Sequence, residues 1–435
     1  MKENSHKNYL LIILLVILTF NYVDRIALGL VAENLKTDLG LSDTQLGFLS
    51  GIAFALFYSV MGIPIARWAD RGDRVTIISV TTALWSAAVA LCGMAGSFLQ
   101  LMLIRVVVGV GEAGCVPPAH SLIADYFERG DRPRAVSLYM QGISLSLVIG
   151  YFAAGWLNQF YGWRAMFVMI GLPGLALAAW SWFGLPEPRR ARARTGTAAE
   201  PLSHPDFKEV CATLWASPTF RHLLISYSVT AFFCYGTLQW TPVFFVRSFG
   251  MKTGELGTWL AVIYGLGSLL GTYWGGEWAF RHAAHDERLQ LKAMTIVSYA
   301  SGIFAAFTYL TLFSPNYYWA FAWLGLYTVA NTMVNGPLLA VIQTLVPERM
   351  RAMSIAFIYL FANLIGMGLG PWAAGALSDA LRPWGGEESL RYAMLVLCPG
   401  FLWGAWHLWA GSKTVTREVE AASIVAGREA TFPTT

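Results

Sequence analysis

Apolar runs long enough to cross a bilayer, about 20 residues, recur from one end of this 435-residue chain to the other. Charge clusters and turn residues cut them into twelve expected helices: 8–32, 43–68, 75–95, 98–127, 134–160, 163–185, 219–248, 255–281, 289–313, 317–346, 350–381 and 387–412. Only 13% of the residues are charged and the mean hydropathy is +0.51. A soluble domain carries about 25% charged residues. A chain this long with half that charge has a second apolar face to satisfy, and that face is lipid. The longest polar stretch, Pro186 to Pro218, is too short for a soluble domain. The run after Lys7 is too long for a secretory signal and holds Asp24 and Arg25, so it reads as an uncleaved first span.

Several functions are excluded. The formal charge of +4 is too small to suggest nucleic acid. Cys92, Cys115, Cys211, Cys234 and Cys398 are scattered and show no disulfide or zinc spacing. There is no Gly-Lys dipeptide, hence no Walker A phosphate loop, and no Asn-x-Ser/Thr sequon. No nucleophile–base pair or metal spacing is evident, so an enzyme is not expected. No cofactor is expected, only protons as a coupling ion.

Twelve spans put both termini on one side. That side receives twenty-two Lys and Arg. The other receives six, Lys36, Arg164, Arg247, Lys252, Arg382 and Arg391. By the positive-inside rule both termini are cytoplasmic, and a bacterial inner (plasma) membrane is the expected location. Arg25 and Arg105 belong to neither side and are left inside the membrane.

The chain also repeats. RGDRPRAVSLYMQG (129–142) resembles VPERMRAMSIAFIY (346–359), and each follows a span with a proline near its middle, Pro117-Pro118 and Gly336-Pro337. The expected organisation is an N-terminal six-helix bundle (1–185), a basic cytoplasmic linker (186–218), a second six-helix bundle (219–413) and a disordered cytoplasmic tail (414–435). Such halves suit a transporter that rocks about a site at the midplane. A cluster of arginines at Arg189 to Arg194 reads as a topology signal.

Four motifs carry chemistry. FNYVDRIALGL (20–30) lies in the first span, GIPIARWADRGDR (62–74) joins the second and third, LMLIRVVVGVGEAG (101–114) forms the fourth, and YGWRAMF (161–167) ends the fifth. Together they resemble the major facilitator superfamily over essentially the whole chain. NYVDR, RVVVGVGEA, PPAHSLIADYF and GWRAMFVMIGLPG look most like the Spinster-type lipid transporters and their bacterial relatives, although NYxDR also occurs in organic-anion symporters. The resemblance implies an all-α fold of twelve transmembrane helices in two pseudo-symmetric six-helix bundles. It also implies a sphingolipid or lysophospholipid substrate. The sequence departs from the superfamily loop pattern at Ala66 and Asp73, where glycines are usual. The matching turn of the second half, GGEWAFRHAAHDER (275–288), lacks the Asp. A cytoplasmic latch of Asp70, Arg71 and Arg74 is therefore expected to rest on Asp70, with the helix start near Met350 to Ser354 as its partner. The alternative is a solvated loop that only sets topology.

A charge at the bilayer centre costs at least about 2.5–3.5 kcal/mol. Adjacent residues on a helix point about 100° apart, so Asp24 and Arg25 must find separate partners. Arg105 and Glu112 are two turns apart on the fourth span and share a face with Gly109, where backbones can approach closely. A buried, net-neutral cluster between the first and fourth spans is expected. It is either a static salt-bridge network or a proton-coupling device. In the second case, protonating Asp24 or Glu112 releases Arg25 or Arg105 to hold an anionic substrate.

TAFFCYGTLQWTPVFF (230–245) carries Phe232, Phe233, Tyr235, Gln239 and Trp240 and no charge. Asn331, Asn335 and Asn363 add neutral polar groups. Charge on one wall and aromatic, neutral-polar surface on the other suggest an amphipathic substrate. Its head would meet Arg25 and Arg105, and its apolar part Tyr235, Gln239, Trp240 and the three asparagines. His120 is either a proton relay or a core histidine. The leading expectation is a monomeric, proton-coupled secondary transporter of a lipid-like anion or zwitterion. The alternatives are a small-organic-anion symporter and a transporter-like receptor.

Overall fold

Among the described residues, ten continuous helices are long and apolar enough to cross a membrane, and two of them are too long to cross it once. Arg134–Gly184 has 51 residues and Met353–Gly411 has 59, whereas a single crossing needs about 20. Gly162 breaks the first with φ 78° and ψ 164°, a backbone that L side chains rarely adopt. Gly386, with φ 54°, breaks the second after Pro383 and starts a short 3₁₀ turn. Twelve crossings result. The computed structural model describes residues 2–128, 130–188, 207–284, 286–310, 316–347 and 350–420, and all regular structure among them is helical.

The first helices are α1 (Lys2–Leu30), α2 (Ala32–Leu39), α3 (Asp43–Ser50), α4 (Ile52–Arg71), α5 (Arg74–Cys92), α6 (Phe98–Glu112), α7 (Val116–Tyr126) and α8 (Arg132–Gly184). Side-chain caps define the starts of three of them. Ser42 and Gln45 form a reciprocal capping box on α3, Asp73 accepts from Thr76 N on α5, and Ser97 accepts from Gln100 N on α6. Asp73, which replaces a usual glycine, is thus a helix cap.

Further along come α9 (Phe207–Ala216), α10 (Pro218–Phe249), α11 (Thr253–Ala283), α12 (Glu287–Tyr309), α13 (Tyr317–Met333), α14 (Asn335–Thr344) and α15 (Arg351–Phe361). A π-helical segment, Ala362–Leu369, joins α15 to α16 (Gly370–Gly385). The last two are α17 (Ser389–Leu397) and α18 (Pro399–Gly411). Such wide turns often occur at functional sites.

The chain forms two compact units. The first is Met1–Glu200 with Leu238–Gly265 and Pro371–Glu388, and the second is Pro201–Thr237 with Leu266–Gly370 and Ser389–Thr435. In the first unit, α1 packs along α8, and Leu10, Leu14, Ile17, Ile78, Leu122 and Tyr139 form its buried core. In the second, Phe220, Leu223, Leu291, Met294, Ile342 and Leu408 do the same. Phe183, Phe280 and Ile296 stay exposed.

Residues 415–420 form a further helical turn where the sequence led us to expect a disordered tail. The Glu418 carboxylate accepts from Thr219 N at 3.0 Å, at the amino end of α10, where an anion is favoured. That partner is some 200 residues away in sequence, so local composition could not reveal it. Residues 421–435 lie outside the described residues, as do the Arg189 to Arg194 cluster and most of the linker.

Candidate functional site

The four intramembrane charges come together as two crossed pairs between α1 and α6. Asp24 accepts from Arg105 (Nη1–Oδ2 2.6 Å), while Arg25 donates to Glu112 (Nε–Oε2 2.7 Å). The 100° turn between Asp24 and Arg25 sends each to a different turn of α6. Glycine sets the close approach of α6 to α4 rather than to α1: a Cβ on Gly109 would lie 2.8 Å from the carbonyl oxygen of Phe54. Asp24 and Glu112 are fully buried and Arg105 is 1% exposed. The Arg25 side chain keeps 15% of its surface open, so it is the member most able to meet a ligand.

Three rings surround Arg25. Its guanidinium lies 4.3 Å from the ring centre of Tyr22, 4.5 Å from Phe54 and 4.8 Å from Tyr58. Phe54 also lies 5.1 Å from the Arg105 guanidinium. Such contacts contribute about 2 kcal/mol or more when desolvated. Sequence reasoning missed Phe54 and Tyr58. Their i,i+4 spacing in the second span was the one available signal.

The other expected site residues are dispersed. Trp240 is 1% exposed and donates its indole N–H to the Pro371 carbonyl (2.8 Å). With Gln239 it borders a small cavity lined also by Leu28, Ala32, Leu46 and Ser50. In the second unit, Asn331 Nδ2 sits 3.7 Å from Cys234 Sγ, Tyr235 is half-buried, Asn363 lies in the π segment and Asn335 is exposed. His120 is half-buried, with its ring edge-on to Tyr139 at 5.5 Å.

Arg74 has partners other than the expected latch. It is fully buried and binds Glu187 (Nη2–Oε1 2.5 Å), Asp125 (Nη2–Oδ2 2.7 Å) and the Ser121 carbonyl (2.9 Å). A buried guanidinium needs such neutralisation, and it ties the start of the linker to α5 and α7. The Asp70 and Arg71 side chains lie outside the described residues.

A second polar cluster lies within the first unit, and the sequence reading had counted its cations only as topology signals. Asp43, 1% exposed, accepts from Arg247 at 2.7 and 2.8 Å, from Lys36 at 2.6 Å and from Ser378 at 2.7 Å. Arg247 also donates to Glu33 (2.7 Å), and Asp379 accepts from Thr44 N (2.8 Å) at the start of α3. These residues come from three distant stretches of sequence, 33–44, 247 and 378–379, which is why no motif revealed them. Nearby, Asp38 accepts from Trp163 Nε1 (2.9 Å) and from Arg164. Those two donors hold the Asp38 carboxyl below its ordinary range, and they account for Trp-Arg in YGWRAMF.

Twelve crossings with charge pairs buried between them define an integral membrane protein. The chain belongs to the Major Facilitator Superfamily, whose family model matches residues 14–371. It is 32% identical to an MFS-type efflux pump of Mycolicibacterium smegmatis, over 94% of this chain and 93% of that one. It is 23% identical to the Probable L-galactonate transporter of Escherichia coli, covering 86% and 83%. Among solved structures it is similar to a bacterial homolog of the human lysosomal transporter Spinster, inward-facing and unoccupied. The TM-score is 0.82 and the identity 29%, over 95% of this chain and 98% of that one.

Proposed function

We propose that the chain is a proton-coupled secondary transporter, and that Asp24 and Glu112 carry the coupled proton between them. The observation that carries this reading is that the two carboxyls neighbour each other and each keeps one buried oxygen, Asp24 Oδ1 and Glu112 Oε1, without a protein donor. Protonating Glu112 frees Arg25 within its aromatic cage. The freed guanidinium then takes the anionic head of a substrate, and substrate release returns Arg25 to Glu112 and expels the proton. Alternating access through two six-helix halves needs no cofactor.

The substrate proposed is an amphipathic, lipid-like anion or zwitterion, as the similarity to the Spinster homolog suggests. Tyr235, Gln239, Trp240, Asn331, Asn335 and Asn363 would line the path of its apolar part. A small organic anion is the second reading, favoured by the relative named for L-galactonate. The protein would work as a monomer in a bacterial inner membrane, with both termini cytoplasmic as the distribution of Lys and Arg favours.

The test is transport by the purified protein in liposomes, with a series of lysophospholipids of rising chain length beside small carboxylates. The expected result is uptake driven by a pH gradient and abolished by a protonophore, with affinity rising with chain length by about 0.8 kcal/mol per buried CH₂. Indifference to the gradient defeats the proton reading. Indifference to chain length promotes the small anion.

A further inference from the structure

The buried side chains of α1, α5 and α6 whose polar atoms lack a protein partner include Asn21, Asp24, Trp85, Arg105 and Glu112, together with Thr82 and Ser86 on α5. Asn21, with no exposed surface, lacks a partner for both its amide nitrogen and its oxygen. It stands one turn before Asp24, on the same side of α1. The Trp85 indole N–H of α5 also lacks an acceptor. The backbone of Trp85 lies against Gly111, 2.9 Å from where a Cβ would stand, next to Glu112. Arg105 Nε, Asp24 Oδ1 and Glu112 Oε1 belong to the charge pairs themselves.

The inventory is balanced. The Asn21 amide, Trp85 Nε1 and Arg105 Nε are donors. The Asn21 carbonyl, Asp24 Oδ1 and Glu112 Oε1 are acceptors. Each such group costs about 1–3 kcal/mol if left dry, and natural interiors satisfy nearly all of them. The Asp24 and Glu112 carboxyls neighbour each other and can satisfy one another through a shared proton, whereas the Asn21 amide, Trp85 Nε1 and Arg105 Nε have no protein partner, and the simplest common partner for these is a small molecule that both donates and accepts. Water does so, with about three hydrogen bonds per buried molecule.

We propose that the seam between α1, α5 and α6 binds internal water held by Asn21 and Trp85, and that this water delivers the proton to the Asp24–Glu112 pair. In this step a hydronium ion drawn from bulk water gives up one O–H bond, an O–H bond forms on Asp24 Oδ1 or Glu112 Oε1, and neutral water is left in the seam. Asn21 is then a positioning residue for the water. The delivery role rests on the proton-coupled reading above. The water site does not.

Two measurements on the full-length protein test this. The first is thermal stability of Asn21→Leu, close to isosteric, against Asn21→Ser, which leaves room and polarity for water. A hydrated seam makes Asn21→Leu less stable than wild type, with Asn21→Ser between them. A rise in stability for Asn21→Leu means a dry orphan amide and overturns the proposal. The second is the infrared C=O band of the protonated carboxyl, followed against pH and during exchange into D₂O. Exchange should be at least tenfold slower in Asn21→Leu and largely restored in Asn21→Ser. Equal exchange in all three overturns the delivery role. Absence of any titrating carboxyl band in wild type defeats the proton reading alone, and the stability comparison still decides the water site. If Asn21→Leu fails to fold, Trp85→Phe, which deletes only the N–H and part of the ring, supplies both measurements.

Discussion

Arg25 places its guanidinium on Glu112, 87 residues away, with Nε 2.7 Å from Oε2, although the Asp24 carboxylate is its immediate neighbour in sequence. Asp24 is occupied by Arg105. The crossing follows from helix geometry, and it leaves each acid dependent on a base from the other span. Removing one member therefore strands a charge in a site with almost no solvent.

Glu112→Gln leaves Arg25 without its counter-charge while keeping the shape of the side chain. Gradient-driven uptake in liposomes should fall at least tenfold, with ligand binding retained. Asp24→Asn should impair uptake similarly and also destabilise the fold, because Arg105 is more deeply buried than Arg25. Normal gradient-driven uptake in both variants would reduce the cluster to a structural role.

Asp43→Asn removes the anion that Arg247 and Lys36 share. Breaking a buried ion pair from one side costs about 3–5 kcal/mol, and the loss should appear as a lowered melting temperature. A cysteine at Ser50, in the small cavity beside Gln239 and Trp240, should become more reactive to a maleimide in that background. Unchanged labelling would mean that the cluster does not seal this end of the first unit.

Arg74→Met should cost about 3–5 kcal/mol by removing the buried guanidinium that neutralises Glu187 and Asp125. Adding Glu187→Gln should recover part of that loss, since only Asp125, which is partly exposed, then remains charged. Denaturation in detergent of the single and double variants checks this. Equal stability of Arg74→Met and wild type would argue that the buried guanidinium contributes nothing.

Asp38 carries a pH dependence of known sign. Its carboxyl is held below the ordinary range by the Trp163 N–H and by Arg164. The contact therefore adds stability above the unfolded pKa of about 3.9, and that stability is lost as pH falls through the lowered folded value. The difference in melting temperature between wild type and Asp38→Asn should be present at neutral pH and close in acid. A constant difference across that window would assign the effect to packing. Asp38 is solvent-exposed, so the effect should also shrink at high salt.

The sequence by itself determined the class of fold, because hydropathy and charge scarcity allow this chain no water-facing exterior. It also pointed to α1 and α6, since an unpaired charge in a span is too costly to be incidental and the two-turn spacing of Arg105 and Glu112 defines a face. The break between the expected helices 134–160 and 163–185 was legible in the sequence, and the structure added that Gly162 makes it with a left-handed backbone. Which base meets which acid depended on how α1 is rotated against α6, a tertiary quantity. So did the aromatic cage of Tyr22, Phe54 and Tyr58, because an aromatic residue in an apolar helix looks the same whether it faces lipid, a core or a guanidinium. The Asp43 cluster joins residues from Glu33 to Asp379, and the cap of α10 by Glu418 spans 199 residues. Contacts at such separations leave no periodicity to read, and only the packing of the folded helices brought these groups within hydrogen-bond distance.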